Sequence, residues 1–385
     1  VLTGPTNLSS GVLEAKTGSL NLGTPSAPAT ITATENTSIL VASGGTLNLY
    51  NGSSVDAGNF SLEIKTDAFQ AASGAGNITA ADITIETATP DRDIFLGDAT
   101  GAGLVIDQAA FSKLQAPEIT VGEAGYNGTV DIGNLTVSQG RLDVIANGTG
   151  AEVRIDGSLT LNAASAPGGI SLLIEGSGAT TVLNGSITAA NDVVINDALQ
   201  VDGGSRTIDT SAGNANVTIT GGNATSSGGL FATLGETNSL TITAGSGTVT
   251  IGTFEGFGNN NGTGSLIENV TIAAGSTVLG NTASEVGGTF AVTDGTLSLA
   301  DNLTAGAIDI STTDATTLTG DVTLAAAGNV GFAGTVDGNQ SLAVNAAGTT
   351  SFGAEVGGQA PLQVLLVANA TELSANVTTV LGQQY

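Results

Sequence analysis

The chain of 385 residues contains no cysteine, histidine, methionine or tryptophan, and aromatic residues make up only 3 % of it. The absence of cysteine and histidine excludes zinc and haem sites, catalytic triads built on histidine and thiol catalysis. A chain without thiols also fits an extracellular bacterial protein that escapes accidental oxidation. Several common kinds of catalytic site are therefore ruled out by composition alone.

Basic residues are scarce. Seven Lys and Arg face 34 Asp and Glu, the net charge is −27, and no basic residue follows Arg206. A nucleic-acid binder needs clustered cations that displace phosphate counterions, and an anionic lipid surface repels an acidic chain. The composition therefore predicts that the chain binds neither nucleic acid nor an anionic membrane.

Long apolar runs and targeting signals are also missing. No run approaches the roughly 18 apolar residues of a membrane-spanning helix, and no basic and apolar leader stands at Val1. We therefore expect no membrane insertion. A start at valine suggests a processed piece from which a leader was removed.

The chain is nevertheless rich enough in apolar residues to fold. Hydrophobic residues make up 40 %, charged residues only 11 %, and the mean hydropathy is +0.27. Disordered acidic chains combine high net charge with low hydrophobicity, which is not the case here. Because the apolar residues are mostly Val, Ile, Leu and Ala, the composition favours a narrow core of stacked aliphatic side chains.

Short segments that alternate apolar and polar residues recur along the whole chain, as in Val130-Asp131-Ile132, Val217-Thr218-Ile219 and Val270-Thr271-Ile272. This period of two is typical of half-buried strands. Dipeptides such as Asn127-Gly128 and Asp156-Gly157 separate the segments and tolerate the positive φ of tight corners. The pattern predicts an all-β protein.

A period near 20 residues distinguishes a solenoid from a sandwich. Pairs 20 apart are Phe332 and Phe352, Val336 and Val356, Gly338 and Gly358, and Leu342 and Leu362; pairs 21 apart are Leu297 and Leu318, and Leu303 and Leu324. Three short strands in such a period make one coil of a parallel β-helix, or β-solenoid, in which equivalent residues stack. We therefore expect coils of about 20 residues, with Phe332 over Phe352 inside the coil.

The expected organisation is one continuous solenoid over residues 1–385, as a subunit or a slice of a longer fibre. At ~4.8 Å per coil, about 19 coils make a rod of roughly 90 Å. Since no amphipathic capping helix is evident, the ends are expected to meet flanking coils or other subunits. Phe254–Gly264 indicates an inserted loop. Within Ile106–Gln115, Phe111 and Leu114 stand at helical spacing, which predicts a short helix or helical turn with Asp107 as its cap.

Several tracts resemble the repeats of filamentous-haemagglutinin-type surface proteins of bacteria. They are Gly320–Leu324, Gly328–Val336, Ser351–Gly358 with Pro361-Leu362, and Asp93–Gly97 running through Gly103–Ile106 to Leu114. The resemblance implies a right-handed β-helix, secretion, and a role as an adhesin or surface fibre. It brings no catalytic residues, and the amino-terminal secretion domain of such proteins is missing from this sequence.

The densest polar group is Asp91-Arg92-Asp93, with Asp98 nearby. Polysaccharide lyases and hydrolases with β-helical folds place carboxylates on one face of the coil for calcium binding or acid–base chemistry. Pro90 and Gly97 flank the group, so a solvated loop is the alternative. We expect no catalytic, cofactor-binding or metal-binding residues, and no cofactor beyond weak, diffuse calcium binding by scattered carboxylates.

Asn-x-Ser/Thr sequons are plentiful in the strand-rich tracts, and they include those at Asn51, Asn77, Asn134, Asn184, Asn216, Asn269, Asn302 and Asn376. Glycosylation is one explanation of them. Asparagine ladders along the solenoid are the more economical explanation, since Asn-Val-Thr is also an alternating strand.

Together these features favour a non-enzymatic structural or adhesive protein on the bacterial cell surface or outside the cell, in surface or matrix fibres such as those of biofilms. Its expected partners are further copies of itself, end to end, and surface glycans or other components of the cell surface. The first alternative is a β-helical enzyme acting on polysaccharides, with Asp91, Asp93 and Asp98 as its candidate carboxylates. The second is an S-layer-like protein of tandem β-sandwiches, which would show units of ~100 residues.

Overall fold

A computed structural model of the chain describes residues 1–9, 11–221, 229–252, 264–280 and 283–385. Two compact units divide it, Val1–Asn191 and Asp192–Tyr385. Each unit is a stack of coils, and each coil is built from short strands or from a longer strand that pairs with two strands of the neighbouring coil. The division does not test the prediction of one continuous solenoid.

In its described residues the first unit has twenty-two strands, one short helix and a 3-10 turn at Pro167–Gly169. They are β1 (Gly4–Leu8), β2 (Val12–Ala15), β3 (Leu20–Leu22), β4 (Ala29–Ala33), β5 (Thr37–Val41), β6 (Thr46–Leu49), β7 (Ser54–Asp56), β8 (Ser61–Lys65), β9 (Ala68–Ala71), β10 (Ile78–Thr79), β11 (Asp82–Glu86), β12 (Ile94–Gly97), β13 (Leu104–Asp107), α1 (Gln108–Phe111), β14 (Leu114–Gln115), β15 (Glu118–Glu123), β16 (Thr129–Ile132), β17 (Leu135–Val137), β18 (Arg141–Ala146), β19 (Glu152–Ile155), β20 (Ser158–Leu161), β21 (Ile170–Leu183) and β22 (Ser186–Ala189).

The described ladders between these strands are parallel, and strands of the same face stack coil upon coil. The first face stacks β1, β4, β7, β10 and β14. The second stacks β2, β5, β8, β11, β15 and β18, and the third begins with β3, β6 and β9. Coil length varies with the loops, because Ser61 pairs with Asp82 whereas Ile83 pairs with Ile119.

The longest coil contains a reversal of strand order. β12 pairs with β13 on one edge and with β16 on the other, so β13 lies below the strand that precedes it in the chain. α1 follows β13 directly, and the Asp107 carboxylate accepts the Ala110 N–H at 2.7 Å, which caps the helix. The predicted short helix with Asp107 as its cap is confirmed over Gln108–Phe111, whereas Leu114, which the prediction included, lies in β14.

The described part of the second unit contains twenty strands and a 3-10 turn at Ser211–Gly213. They are β23 (Asp192–Val201), β24 (Ser205–Asp209), β25 (Val217–Ile219), β26 (Leu230–Thr233), β27 (Ser239–Ile251), β28 (Gly264–Ser265), β29 (Asn269–Leu279), β30 (Ser284–Glu285), β31 (Thr289–Leu299), β32 (Leu303–Ala305), β33 (Ala307–Ile310), β34 (Thr316–Leu318), β35 (Val322–Ala326), β36 (Val330–Phe332), β37 (Val336–Asp337), β38 (Leu342–Ala346), β39 (Thr350–Phe352), β40 (Leu362–Ala368), β41 (Thr371–Leu373) and β42 (Thr379–Gln384).

Near its C-terminal end the second unit keeps the predicted register. Phe332 pairs with Phe352, Val336 bridges Val356, and Leu303 pairs with Leu324. The predicted pairs Leu342–Leu362 and Leu297–Leu318 are wrong: Leu342 pairs with Leu365, Leu297 with Thr316, and Leu299 with Leu318. Register in a parallel ladder is set by the length of each corner, and these two corners depart from the common length.

Inside both units the core is aliphatic, as the composition predicts. Strands such as β4 and β16 bury every second residue, in agreement with the alternation in the sequence. The buried side chains are mostly Ile, Leu, Val and Ala, and the largest fully buried ones include Phe290 and Phe352. Stacking identical or similar aliphatic residues one strand spacing apart fills the narrow interior without large side chains.

The fold is therefore an all-β parallel solenoid. The antiparallel pairing of β26 with β28 departs from the parallel ladders of the described residues. Parallel ladders exclude the alternative of tandem β-sandwiches, whose sheets are antiparallel. The predicted insertion Phe254–Gly264 lies outside the described residues, except for Gly264, with which β28 begins.

Candidate functional site

The carboxylates that the sequence singled out are all bonded to the backbone of the following coil. In each case an Oδ1 atom accepts a backbone N–H. The pairs are Asp91 with Asn127 at 2.9 Å, Asp93 with Thr129 at 3.0 Å, and Asp98 with Asn134 in a shorter contact. The side-chain amide of Asn134 also donates to Asp98 Oδ2. Hydrogen bonds from Asn134 lower the pKa of Asp98, so this exposed carboxylate stays ionised.

Arg92 lies between two of these carboxylates but pairs with neither of them among the described residues. Its carbonyl oxygen accepts the Tyr126 hydroxyl at 2.7 Å, and Tyr126 is 2 % exposed. Burial raises the pKa of Tyr126 far above its usual range, and the charges of Asp93 and Asp91 add to this effect. Tyr126 therefore remains a neutral hydrogen-bond donor that holds the Asp91–Asp93 corner to the next coil.

These bonds follow one rule that recurs along both units. An Asp or Asn stands next to a strand end, and its side-chain oxygen accepts the N–H of the residue in register with it one coil later. Further pairs of this kind are Asn134 with Ser158, Asp192 with Asn216, Asn216 with Thr248, Asn269 with Thr289, Asn302 with Thr323, Asp321 with Ser341, and Asn329 with Thr349. We call these contacts coil brackets.

Coil brackets and related contacts occupy most of the named sequon asparagines. Six of the eight make side-chain hydrogen bonds to a neighbouring coil: Asn51, Asn134, Asn184, Asn216, Asn269 and Asn302. For Asn77 and Asn376, both exposed, no such side-chain bond is found in the described part of the chain. This arrangement supports the asparagine-ladder explanation of their frequency.

Asp67 is a buried carboxylate that joins three successive coils. It is 2 % exposed and accepts the N–H groups of Gly44 at 2.6 Å and Thr89 at 2.8 Å, together with the Thr89 hydroxyl. Burial by itself raises the pKa of Asp67, but the hydrogen bonds from Thr89 and Gly44 outweigh it, and the pKa lies below its usual value. The carboxylate is therefore ionised, and each of its two oxygens accepts a backbone N–H group.

Three of the seven basic side chains, those of Lys65, Arg141 and Arg154, lie on outward faces of the first unit. Each is close to two acidic side chains. Lys65 Nζ is 2.9 Å from Glu86 Oε2 and 4.0 Å from Glu123 Oε2. The hydrogen bond to Glu86 raises the pKa of Lys65, whereas burial and the charge of Glu86 raise that of Glu123. Lys65 therefore works as an internal counterion for two carboxylates on adjacent strands.

Arg141 has the most buried set of partners. Its guanidinium lies 2.9 Å from Glu118 Oε2 and contacts both carboxylate oxygens of Asp143, at 2.6 and 2.8 Å. Asp143 is 6 % exposed, and burial raises its pKa to about 6, although Arg141 favours the ionised form. The ion pair is thus held in a place where ionising the carboxylate is unfavourable.

Arg154 pairs with neighbours on its own strand. It contacts Glu152 at 2.7 Å and Asp156 at 3.2 Å, and it lies in register with Asp131 of the strand below. Burial raises the pKa of Asp131, and Asp156 adds to this effect. The alternation of Glu152, Arg154 and Asp156 places all three on one face, a signal that is present in the sequence but was not part of the prediction.

The described residues hold no group of three or more His, Cys, Asp or Glu side chains arranged to bind a metal ion. A cleft of about 80 Å³ lies where the first face is interrupted between β14 and β17. There the Gln108 amide donates to the Thr136 carbonyl at 3.0 Å and accepts its N–H at 2.6 Å. The candidate carboxylates Asp91, Asp93 and Asp98 do not line this cleft.

Among the described helices, none has the length and apolar character that crossing a membrane requires. Comparison with known proteins finds no matching family model, no matching curated protein and no matching solved structure. The resemblance to filamentous-haemagglutinin-type surface proteins therefore stays a prediction.

Proposed function

We propose that the chain is a non-enzymatic structural and adhesive protein of the bacterial cell surface, similar in role to filamentous-haemagglutinin-type fibres. The observation that carries the proposal is the use of the polar side chains. Asp91, Asp93 and Asp98, the best candidates for catalysis, each accept a backbone N–H of the next coil. Carboxylates committed to the backbone in this way stiffen a solenoid rather than act on a substrate.

The stiffness of such a protein comes from many individually weak contacts between successive coils. Parallel ladders run along three faces of each unit, an aliphatic stack fills the interior, and coil brackets tie the corners. Because each coil touches its neighbours, resistance to unfolding extends along the stack. The net charge of −27 keeps separate molecules apart until cations screen it.

Self-association end to end is part of the proposal. β42 lies at the outer edge of its sheet in the described structure, and it exposes Val380 and Leu381 at 59 % and 75 %. Leu373 of the neighbouring face is 43 % exposed, although its register partner Phe352 is buried. An uncovered parallel edge with exposed apolar residues is suited to the addition of a further strand, from another coil or another copy.

Electron microscopy of the natively prepared protein, with and without millimolar calcium, tests the assembly. Long fibres with the strand spacing of ~4.8 Å along their axis are the expected result. The double variant Leu373→Lys/Leu381→Lys places charges on the edge and should leave single rods. Leu234→Lys is the matched control, because Leu234 is 59 % exposed away from this edge.

Single particles under both conditions would contradict end-to-end assembly. A screen for release of reducing sugars or unsaturated products from acidic and neutral polysaccharides tests the non-enzymatic part. Cleavage that is lost in Asp91→Asn, Asp93→Asn or Asp98→Asn would overturn it in favour of the polysaccharide-active alternative.

A further inference from the structure

A shallow groove on the third face of the first unit has a lining unlike the rest of this acidic surface. It has a volume of about 220 Å³ and is lined by Asn48, Leu49, Tyr50, Gln70, Ala71 and Ala72. None of these residues is charged, in a chain with 34 acids. This volume leaves room for several water molecules, and therefore for a small polar ring. We call it the Tyr50 groove.

Tyr50 offers an aromatic face in this groove. It follows β6 directly, and its N–H donates to the Leu22 carbonyl at 3.0 Å. The register of the three strands places Gly23 below Tyr50 and Ala72 above it. Because these neighbours have no side chain or a single methyl group, the half-buried tyrosine ring has room beside it for a ligand to stack.

Amide side chains stand next to the ring. Asn21, Asn48 and Gln70 occupy one outward column on successive strands. Asn48 Nδ2 donates to Asn21 Oδ1 at 2.7 Å, which fixes the orientation of the Asn48 amide. The exposed Gln70 amide bonds to no other side chain in the described part of the chain, so its donors and acceptor are available to a ligand. Adjacent donors and acceptors of this kind match vicinal hydroxyl groups.

We propose that the Tyr50 groove binds a neutral oligosaccharide, with the apolar face of one sugar ring on Tyr50 and its hydroxyls on the Asn48 and Gln70 amides. The charge of the chain repels an anionic ligand, and the lining has no carboxylate to hold a cationic one. An apolar ligand would leave the amides without partners. The proposal names the ligand class for the adhesive part of the proposed function and rests on that function.

Fluorine NMR offers a direct test, because the chain has only three tyrosines. In protein labelled with 3-fluorotyrosine, the signals of Tyr50, Tyr126 and Tyr385 are assigned with Tyr→Phe variants. The probes are maltopentaose, cellopentaose and mannopentaose, with oligogalacturonate as the anionic comparison. We expect a saturable shift of the Tyr50 signal with at least one neutral probe, and no shift for Tyr126, which is buried.

Variants then separate recognition from folding. Tyr50→Ala should abolish the binding, and Gln70→Ala, at an exposed position, should weaken it about tenfold through the loss of its hydrogen bonds. Phe60→Ala removes an aromatic residue that is 36 % exposed outside the groove, and should bind as the parent chain does. Melting temperatures of all three variants should stay close to that of the parent chain.

Three outcomes would overturn the proposal: a Tyr50 signal unmoved by every neutral probe up to about 10 mM, well above a millimolar Kd; an equal shift with oligogalacturonate; or unchanged binding in Gln70→Ala. Fibre formation is scored separately by microscopy of the same samples. Fibres that do not bind saccharide would refute the proposed ligand and leave the proposed assembly standing. Saccharide binding by single particles would refute the end-to-end assembly and leave the proposed ligand standing.

Discussion

The phenyl rings of Phe332 and Phe352 lie 5.3 Å apart, centroid to centroid, and their planes differ by 2°. The two residues are in register on adjacent parallel strands and are both almost fully buried. Because adjacent strands are ~4.8 Å apart, the ladder itself brings the rings to stacking distance. Ile310 precedes them in the same column, and Leu373 follows.

Replacing Phe332 by Asp should destabilise the coils around it, because the variant places a carboxylate in an apolar column. Phe332→Ala, which leaves a cavity, should lower the free energy of unfolding by ~3–5 kcal/mol, and Phe332→Leu by less than ~1.5 kcal/mol. Thermal unfolding and amide hydrogen exchange over residues 330–352 provide the measurements. An unchanged melting temperature in Phe332→Asp would refute the placement of this ring in the core.

Removal of the Asp67 carboxylate should be among the more damaging polar substitutions. In Asp67→Ala the N–H groups of Gly44 and Thr89 lose their acceptor, and the expected loss is about 3 kcal/mol, since bonds to charged groups are worth ~1.5–3 kcal/mol each. Asp67→Asn keeps one acceptor oxygen and should lose about half as much. Urea unfolding at pH 7 measures both losses, and equal stability of the two variants would contradict this role of the Asp67 carboxylate.

Because the Asp67 carboxylate titrates, we also expect its contribution to folding stability to depend on pH. Since the folded pKa of Asp67 is below its unfolded value, its contribution is present above about pH 4 and is lost as the pH falls through the folded pKa. The stability difference between the parent chain and Asp67→Asn should therefore shrink on acidification below pH 4. Midpoints of urea unfolding from pH 2 to pH 7 measure it, and a difference independent of pH would count against an ionised Asp67.

For Asp143 we expect the folding stability to depend on pH with the opposite sign. Its folded pKa of about 6 lies above the unfolded value of 3.8, so the folded state binds the proton more tightly. Its contribution to stability is full below about pH 4 and declines as the pH rises through 6, by at most about 3 kcal/mol at 1.36 kcal/mol per pKa unit. Asp143→Asn should remove this decline. Parallel stability curves for variant and parent between pH 4 and pH 7 would show that Asp143 does not titrate in this range.

Two glycines should respond very differently to substitution by alanine. A Cβ at Gly185 would overlap the backbone of Gly157 in the coil below, so Gly185→Ala requires the coils to separate locally. A Cβ at Gly331 would meet only the Ser351 hydroxyl, at 3.4 Å, and Gly331→Ala should be neutral or stabilising by up to ~1 kcal/mol. Thermal unfolding measures both effects, and Gly185→Ala should have the lower melting temperature. Similar melting temperatures of the two variants would contradict the close packing at Gly185.

The fold class could be predicted because it depends on patterns that repeat within the chain. Alternation identified the strands, and the 20-residue spacing placed Phe332 over Phe352. The spacing failed for Leu342, which pairs with Leu365, because the corner before β40 is three residues longer than the common one. Corner length changes register without changing the strand pattern, so only the folded backbone reveals it.

The roles of the polar residues were harder to predict. Asp91, Asp93 and Asp98 were recognised as a group, but the backbone N–H groups that donate to them lie 36 residues further on, in a coil lengthened by β12, β13 and α1. A bracket can be recognised in sequence only when the length of its coil is known. For Asn329 and Thr349, 20 residues apart, the common period would have been enough.

At Gln108 a side chain takes the place of a strand. Its amide makes both hydrogen bonds to Thr136 that a neighbouring strand residue would make, at a level where β14 and β17 do not pair. On that face, two bonds from a single rotatable group connect the coils below to the coils above. When the first unit is pulled from its N-terminus, this level is where one of the three faces can part first, so the unit has a weak seam at a defined height.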